Sequence, residues 1–254
     1  MAKNLILYFS GTGNSLAAAK RIAAEIGDTD VRAMAACPNP EGEYERVGFV
    51  YPCYAMGLPR FVKKTIEKLD IDKLFSEYYF AVETYGGGPG ISTAQINKIL
   101  KGKGSRLSFG INIKMFANYI ALYSMKGDAE VKAKEADEEI ASISVSIKNM
   151  KQSKSLSGSF VLGASYSIVL PALLKKIRHF HVAEDCTGCG QCARLCPTGN
   201  IRMETGKPAI GTDCEQCMAC IQWCPVQAIN YKTKTTGKRR YTHPLIKVDE
   251  MFVR

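Results

Sequence analysis

Eight of the ten cysteines lie between Cys186 and Cys224, in two runs of C-x2-C-x2-C-x3-C-P. Cys186, Cys189, Cys192 and Cys196 recur 28 residues later as Cys214, Cys217, Cys220 and Cys224, with Pro197 and Pro225 closing the runs. Three thiolates this closely spaced suit three corners of an iron–sulfur cube, while the fourth, three residues further on and backed by proline, points to a neighbouring cube. The pattern predicts two [4Fe–4S] clusters with crossed ligands. Cys186, Cys189, Cys192 and Cys224 hold one; Cys214, Cys217, Cys220 and Cys196 hold the other. Zinc is the alternative, but its sites pair C-x2-C knuckles across a longer spacer. A disulfide framework would need export, and the apolar start at residues 4–9 is too short for a signal peptide and runs straight into a glycine loop. A reducing, cytoplasmic compartment is therefore expected.

That glycine loop is the second chemical feature. Ser10-Gly11-Thr12-Gly13-Asn14-Ser15 sits between an apolar, strand-like run and a helical pattern. It lacks the lysine of a P-loop and the third glycine of a dinucleotide fingerprint. Hydroxyls, an amide and free N–H groups at a helix start can cradle a phosphate without a cationic side chain. Two further loops follow strand candidates: Pro52-Cys53-Tyr54-Ala55-Met56-Gly57, and Thr84-Tyr85-Gly86-Gly87-Gly88. Tyr54 and Tyr85 are candidates for stacking on a ring, because the one tryptophan, Trp223, lies among the cysteines. Cys53 reads more readily as a small packing residue than as a nucleophile, since His179, His181 and His243 fall in no motif with it.

These loops carry a resemblance. The run from Ser10 to Ser15 matches the [ST]-x-T-G-N-[ST] phosphate loop of the flavodoxins at every fixed position, and the two later loops fall where that family holds the isoalloxazine ring of FMN. The resemblance implies an FMN site at the strand C-termini of a parallel sheet ordered 2-1-3-4-5. Residues 182–231 are similar to the bacterial dicluster ferredoxins. Residues 1–231 together resemble the flavodoxin–ferredoxin fusion proteins, loosely so between 116 and 180.

The elements needed to position these groups are legible. Strand candidates fall at residues 4–9, 29–34, 46–51, 78–83 and 106–113, and helical patterns at 14–26, 58–69 and 92–100. This alternation implies a parallel sheet covered on both faces, an α/β doubly wound flavodoxin-like fold, followed by a small α+β ferredoxin module. Between 128 and 150, Ala129, Ala133, Ala136, Ile140, Ile143, Ile147 and Met150 form one stripe. It is read as a helix covering the sheet, with a dimer seam as the alternative. Residues 152–158 read as a loop. Residues 160–174 are apolar but shorter than the roughly 20 residues a membrane span needs. The expected division is 1–178 flavodoxin-like, 179–232 ferredoxin and 233–254 a basic tail.

Charge is uneven. Residues 1–181 carry 24 basic against 17 acidic side chains, residues 182–231 carry 3 against 5, and residues 232–254 carry 7 against 2. Bound clusters and a phosphate would reduce the net +10, leaving too little to argue for nucleic acid. A solvated or partner-facing tail at 232–240 is the expectation. The predicted function is electron transfer between the clusters and FMN, with an acidic, ferredoxin-like protein as redox partner. The alternative is a flavin reductase acting on a quinone, nitro compound or other small acceptor, fed by the clusters.

Overall fold

The computed structural model describes residues 2–156, 158–174 and 179–253. Its centre is a five-stranded parallel sheet: β1 (Asn4–Tyr8), β2 (Thr29–Ala33), β3 (Gly42–Pro52), β4 (Leu74–Tyr85) and β5 (Leu107–Lys114), in the order β2-β1-β3-β4-β5. All five residues of β1 are buried, as a strand covered on both faces requires. Helices α1 (Asn14–Ile26) and α4 (Ala129–Lys148) pack on one face; α2 (Arg60–Lys68) and α3 (Ser92–Lys101) belong to the other.

The stripe on α4 faces the core as expected, with Ala136, Ile140, Ile143 and Ile147 packed beside α1, whereas Met150 lies past the helix end and is exposed. Asp128 caps this helix by accepting from the N–H groups of Glu130 and Val131, at 2.9 and 3.1 Å. Strands β3 and β4 start about four residues earlier than their apolar runs suggest. Their first halves alternate buried and exposed residues, as in Leu74-Phe75-Ser76-Glu77, so one face is wet there.

Residues 160–174 form α5 (Phe160–Leu174), and among the described residues no helix is long and apolar enough to cross a membrane. The expected domain boundary at residue 178 lies outside the described residues. Beyond it comes the cysteine module: β6 (Phe180–Val182), α6 (Gln191–Leu195), the hairpin β7 (Ile201–Glu204) and β8 (Lys207–Ile210), α7 (Ala219–Gln222) and β9 (Ile229–Tyr231), with β6 antiparallel to β9.

The C-terminal residues do not trail into solvent. They run back over the sheet domain as a strap. Lys238 donates to the carbonyls of Ile120 and Tyr123, Tyr241 stacks on Phe116 with ring centroids 4.3 Å apart, and Glu250 pairs with Lys20. Tyr241, His243, Ile246 and Met251 are buried. The expectation of a solvated tail is corrected here: the basic residues satisfy backbone carbonyls while the apolar ones between them fill the core.

Candidate cluster and flavin sites

Both cysteine runs fold alike. Each places a short helix (α6, α7) after its second cysteine, preceded by a left-handed residue: Gly190 at φ 72° in the first run, Met218 at φ 62° in the second. Each fourth cysteine receives a backbone N–H on sulfur, Asn200 to Cys196 at 3.2 Å and Ala228 to Cys224 at 3.3 Å. Gln216 N–H likewise reaches Cys214 Sγ at 3.2 Å. Such bonds favour a charged sulfur and are among the levers that tune cluster potentials.

The thiols gather around two hollows. One is lined by Cys186, Cys189, Cys192 and Cys224, with Leu195, Pro225 and Ile229 around them; the other by Cys196, Cys214 and Cys217, with Phe180, Ile201 and Ile210. Cys220 borders both. Cys224 thus lies with the first run and Cys196 with the second. Among the described residues no three His, Cys, Asp or Glu side chains meet as a site for a single metal ion. Burial pushes the thiols of Cys192 and Cys214 up to about 11, and those of Cys217 and Cys220 higher still. These thiols stay protonated at neutral pH unless a metal displaces the proton. Four thiols, apolar walls and N–H donors to sulfur fit a cluster in each hollow.

A third cavity, of about 370 Å³, opens at the C-terminal edge of the sheet. Pro52, Cys53, Tyr54, Ala55 and Met56 line one side and Thr84, Tyr85, Gly86, Gly87 and Gly88 another. Gly57 is not on its wall; it closes the turn by exchanging backbone hydrogen bonds with Tyr54, at 2.9 Å each way. From the Ser10–Ser15 loop only Asn14 reaches the cavity. The rest of that loop is packed under the cysteine module and the strap. A Cβ on Gly11 would lie 2.3 Å from the Cys217 carbonyl oxygen, and Gly13, at φ 98°, sits beneath His243 and Ile246. Its side chains are engaged: Ser15 with Thr84 at 2.9 Å, Asn14 with Tyr241 at 2.6 Å, and Thr12 with Asn118. No side chain caps α1, and among the described residues nothing accepts from the N–H groups of Asn14 and Ser15. A buried, uncapped helix start of this kind suits a phosphate. The two loops around this cavity therefore fit a flavin ring, with Asn14 at the start of α1 open to the same space.

Sequence patterns missed nearly half of the cavity wall. Phe116, Asn118, Tyr119 and Tyr123 come from the segment after β5, Val169 and Leu173 from α5, and Gln216 from the cysteine module. The position of 116–123 at the C-terminal end of the last strand was the available signal, since parallel sheets bind ligands along that edge.

The two modules are locked together at this place. Trp223 donates its indole N–H to the Gly11 carbonyl (3.0 Å), Gln222 donates to the Asn118 carbonyl (2.7 Å), and Tyr119 donates to Gln216 (3.0 Å). Arg60 at the start of α2 spans Asp213 and the buried Glu215, both at 2.6 Å. Cys217 lines both the second cysteine hollow and the 370 Å³ cavity.

Residues 180–202, which include the first cysteine run, match the 4Fe–4S binding domain family. No curated protein matches the chain. Among solved structures, rubredoxin oxygen:oxidoreductase from the anaerobe Desulfovibrio gigas aligns at 13% identity and TM-score 0.40, over 64% of this chain and 37% of that one. The present chain thus spans about a third of that enzyme. The flavodoxin of Megasphaera elsdenii in its two-electron reduced form aligns at 18% identity and TM-score 0.36, over 55% of this chain and 98% of its own, and an archaeal flavodoxin at 14% and 0.32, over 57% and 98%.

Proposed function

We propose that the chain is an electron-transfer flavoprotein that passes electrons between two [4Fe–4S] clusters and FMN. Cys186, Cys189, Cys192 and Cys224 hold the outer cluster, and Cys196, Cys214, Cys217 and Cys220 the inner one. When bound, the clusters supply one-electron steps and the flavin takes up one or two electrons, so the pair converts between the two currencies. The loops at 52–56 and 84–88 hold the ring, and the start of α1 receives the phosphate. Tyr54 and Tyr85 are placed to bear on the ring. Phe116, Leu122 and Tyr123 add apolar surface to the cavity wall.

One observation carries this reading: Cys217, a ligand of the inner cluster, is also part of the flavin cavity wall. No diffusing intermediary is then needed between the two centres. The exposed Cys189 marks the face where an outside donor or acceptor would meet the outer cluster. An acidic partner protein fits the excess of basic residues in the sheet domain, and its association would slow with added salt.

Anaerobic reconstitution and cofactor analysis test the composition. The expected content is about eight iron, eight sulfide and one FMN per chain. Stoichiometric zinc in iron-replete protein would remove the clusters from the account. Failure to bind FMN would reduce the first domain to a scaffold.

A further inference from the structure

Behind the flavin cavity lies a carboxyl group that electron transfer alone does not need. Glu83, near the end of β4, is fully buried, and no basic side chain pairs with it among the described residues. Its Oε1 accepts from the Gly90 N–H at 2.7 Å, and its Oε2 meets the Ser92 hydroxyl, which in turn lies 3.1 Å from the Tyr51 hydroxyl. The carboxyl also takes the backbone N–H of Ser92 and faces the thiol of Cys53, whose sulfur lies beside Gly90 and which lines the 370 Å³ cavity. The titratable groups facing Glu83 are therefore Tyr51 and Cys53, both of β3 or the loop that follows it.

We propose that Glu83 and Cys53 are a proton-delivery pair for the flavin cavity, Glu83 storing the proton and Cys53 handing it on. The inference rests on the flavin reading above and adds to it how the charge of incoming electrons is compensated. An electron arriving at a partly buried site is costly unless a proton follows. The reductant is the reduced inner cluster. With a flavin bound, each electron delivered would draw the Cys53 proton onto the ring, the S–H bond breaking as the new bond forms. The Glu83 carboxyl then restores the thiol as its own O–H bond breaks. Glu83 regains its proton from solvent by way of the 86–90 loop, where Gly87 and Pro89 are exposed. One electron and one proton enter per step, so the cavity gains no net charge.

Burial raises the Glu83 carboxyl, and hydrogen bonds from Ser92, Gly90 and Cys53 work against that rise. It also raises the Cys53 thiol, so that group gives up its proton only as Glu83 replaces it. The competing role is purely structural: Glu83 ties the 86–90 loop to the start of α3. Glu83→Gln preserves the shape and an acceptor oxygen but carries no transferable proton, so it separates the two.

Two readouts decide. Infrared spectroscopy of the full chain with clusters but without FMN, at pH 7, should show the carbonyl stretch of a buried protonated carboxyl that disappears in Glu83→Gln. With FMN bound, proton uptake from the medium after rapid cluster reduction is followed with a pH-indicator dye. Normalised to flavin-containing protein, it should slow at least tenfold in Glu83→Gln. Cys53→Ala should slow it similarly and serves if the first variant does not fold. Absence of the carboxyl band in the parent protein, or unchanged proton uptake in both variants with FMN bound, overturns the pair while leaving the electron-transfer reading intact. Parent protein that binds no FMN overturns both.

Discussion

The two halves of the cysteine module share a sequence pattern and a backbone, yet they face different surroundings. At three equivalent positions the first half uses glycine for a left-handed backbone, Gly188, Gly190 and Gly199 at φ 69°, 72° and 63°. The second half has Gln216, Met218 and Gln227 there, at φ 55°, 62° and 54°. A side chain in that conformation costs roughly 1–2 kcal/mol. Two of the three replacements have a visible offset. Gln216 bonds with Tyr119 and donates to the Leu173 carbonyl at 3.0 Å, and Met218 is buried against Phe116 and Ile120. The first half, with Cys189 exposed, keeps the unstrained solution and faces outward. The second half has given up backbone ease for contacts with the sheet domain. A duplicated unit has become an outer and an inner site, and the inner one shares Cys217 with the 370 Å³ cavity at the sheet edge.

The sharpest way to break that comparison is to remove one ligand from each half. Cys217→Ala should lose the inner cluster and reduce cluster-dependent flavin reduction by several orders of magnitude. Cys189→Ala should lose the outer cluster while leaving the inner one and FMN binding in place. Electron paramagnetic resonance and anaerobic absorption spectra distinguish these outcomes. Equal effects of the two substitutions on flavin binding and reduction would erase the distinction between the sites.

A second test presses on the junction. Gly11→Val places a side chain against the Cys217 carbonyl, where even a Cβ would lie at 2.3 Å. Backbone on one side and strand on the other leave little room to yield. Destabilisation of about 3 kcal/mol is expected in chemical denaturation, with slower electron exchange between the centres. Unchanged stability would mean that the modules separate readily.

The strap adds a pH dependence. Burial lowers the His243 imidazole to about 4, below the 6.5 of an exposed histidine. The unfolded chain therefore binds more protons between these values, and stability falls as pH drops from about 6.5 towards 4. The expected loss at pH 5 is about 2 kcal/mol relative to pH 7 from this group alone. His243→Gln should flatten that part of the stability profile in urea titrations at fixed pH, whatever its effect at pH 7.

The smallest effect sharpens the comparison most. Gln216→Gly converts an inner position to the outer solution. Relief of backbone strain and loss of the hydrogen bonds nearly cancel, so stability should change by less than about 1 kcal/mol. Flavin affinity should weaken, because Gln216 lines the cavity. A variant with unchanged FMN affinity would show that Gln216 serves packing alone.

How much of this was readable beforehand follows from how local each feature is. The strand order came from the flavodoxin resemblance that three loops at strand ends carry, and the crossing of Cys196 and Cys224 from the spacing before each proline. Both depend on neighbours in the chain. The strap was read as a free tail because its buried residues, Tyr241, His243, Ile246 and Met251, follow no helical or strand period; they are buried only by long-range contacts. Val169 and Leu173 likewise reach the cavity wall only through the tertiary fold. Residues 160–174 are apolar throughout, so no periodicity showed which of them would reach a cavity formed by other segments. Glu83 was hidden as the polar end of an apolar run, its neighbours coming from β3 and α3.

The central claim is that the shared Cys217 wall lets electrons pass within one chain. Anaerobic stopped-flow reduction, with a donor that reaches the clusters and with flavin and cluster absorption followed separately, tests it directly. Cluster bleaching should come first, followed by flavin reduction with a first-order rate that is the same at every protein concentration. A flavin rate that rises in proportion to protein concentration would show that the two centres exchange electrons only between molecules, and would contradict the account.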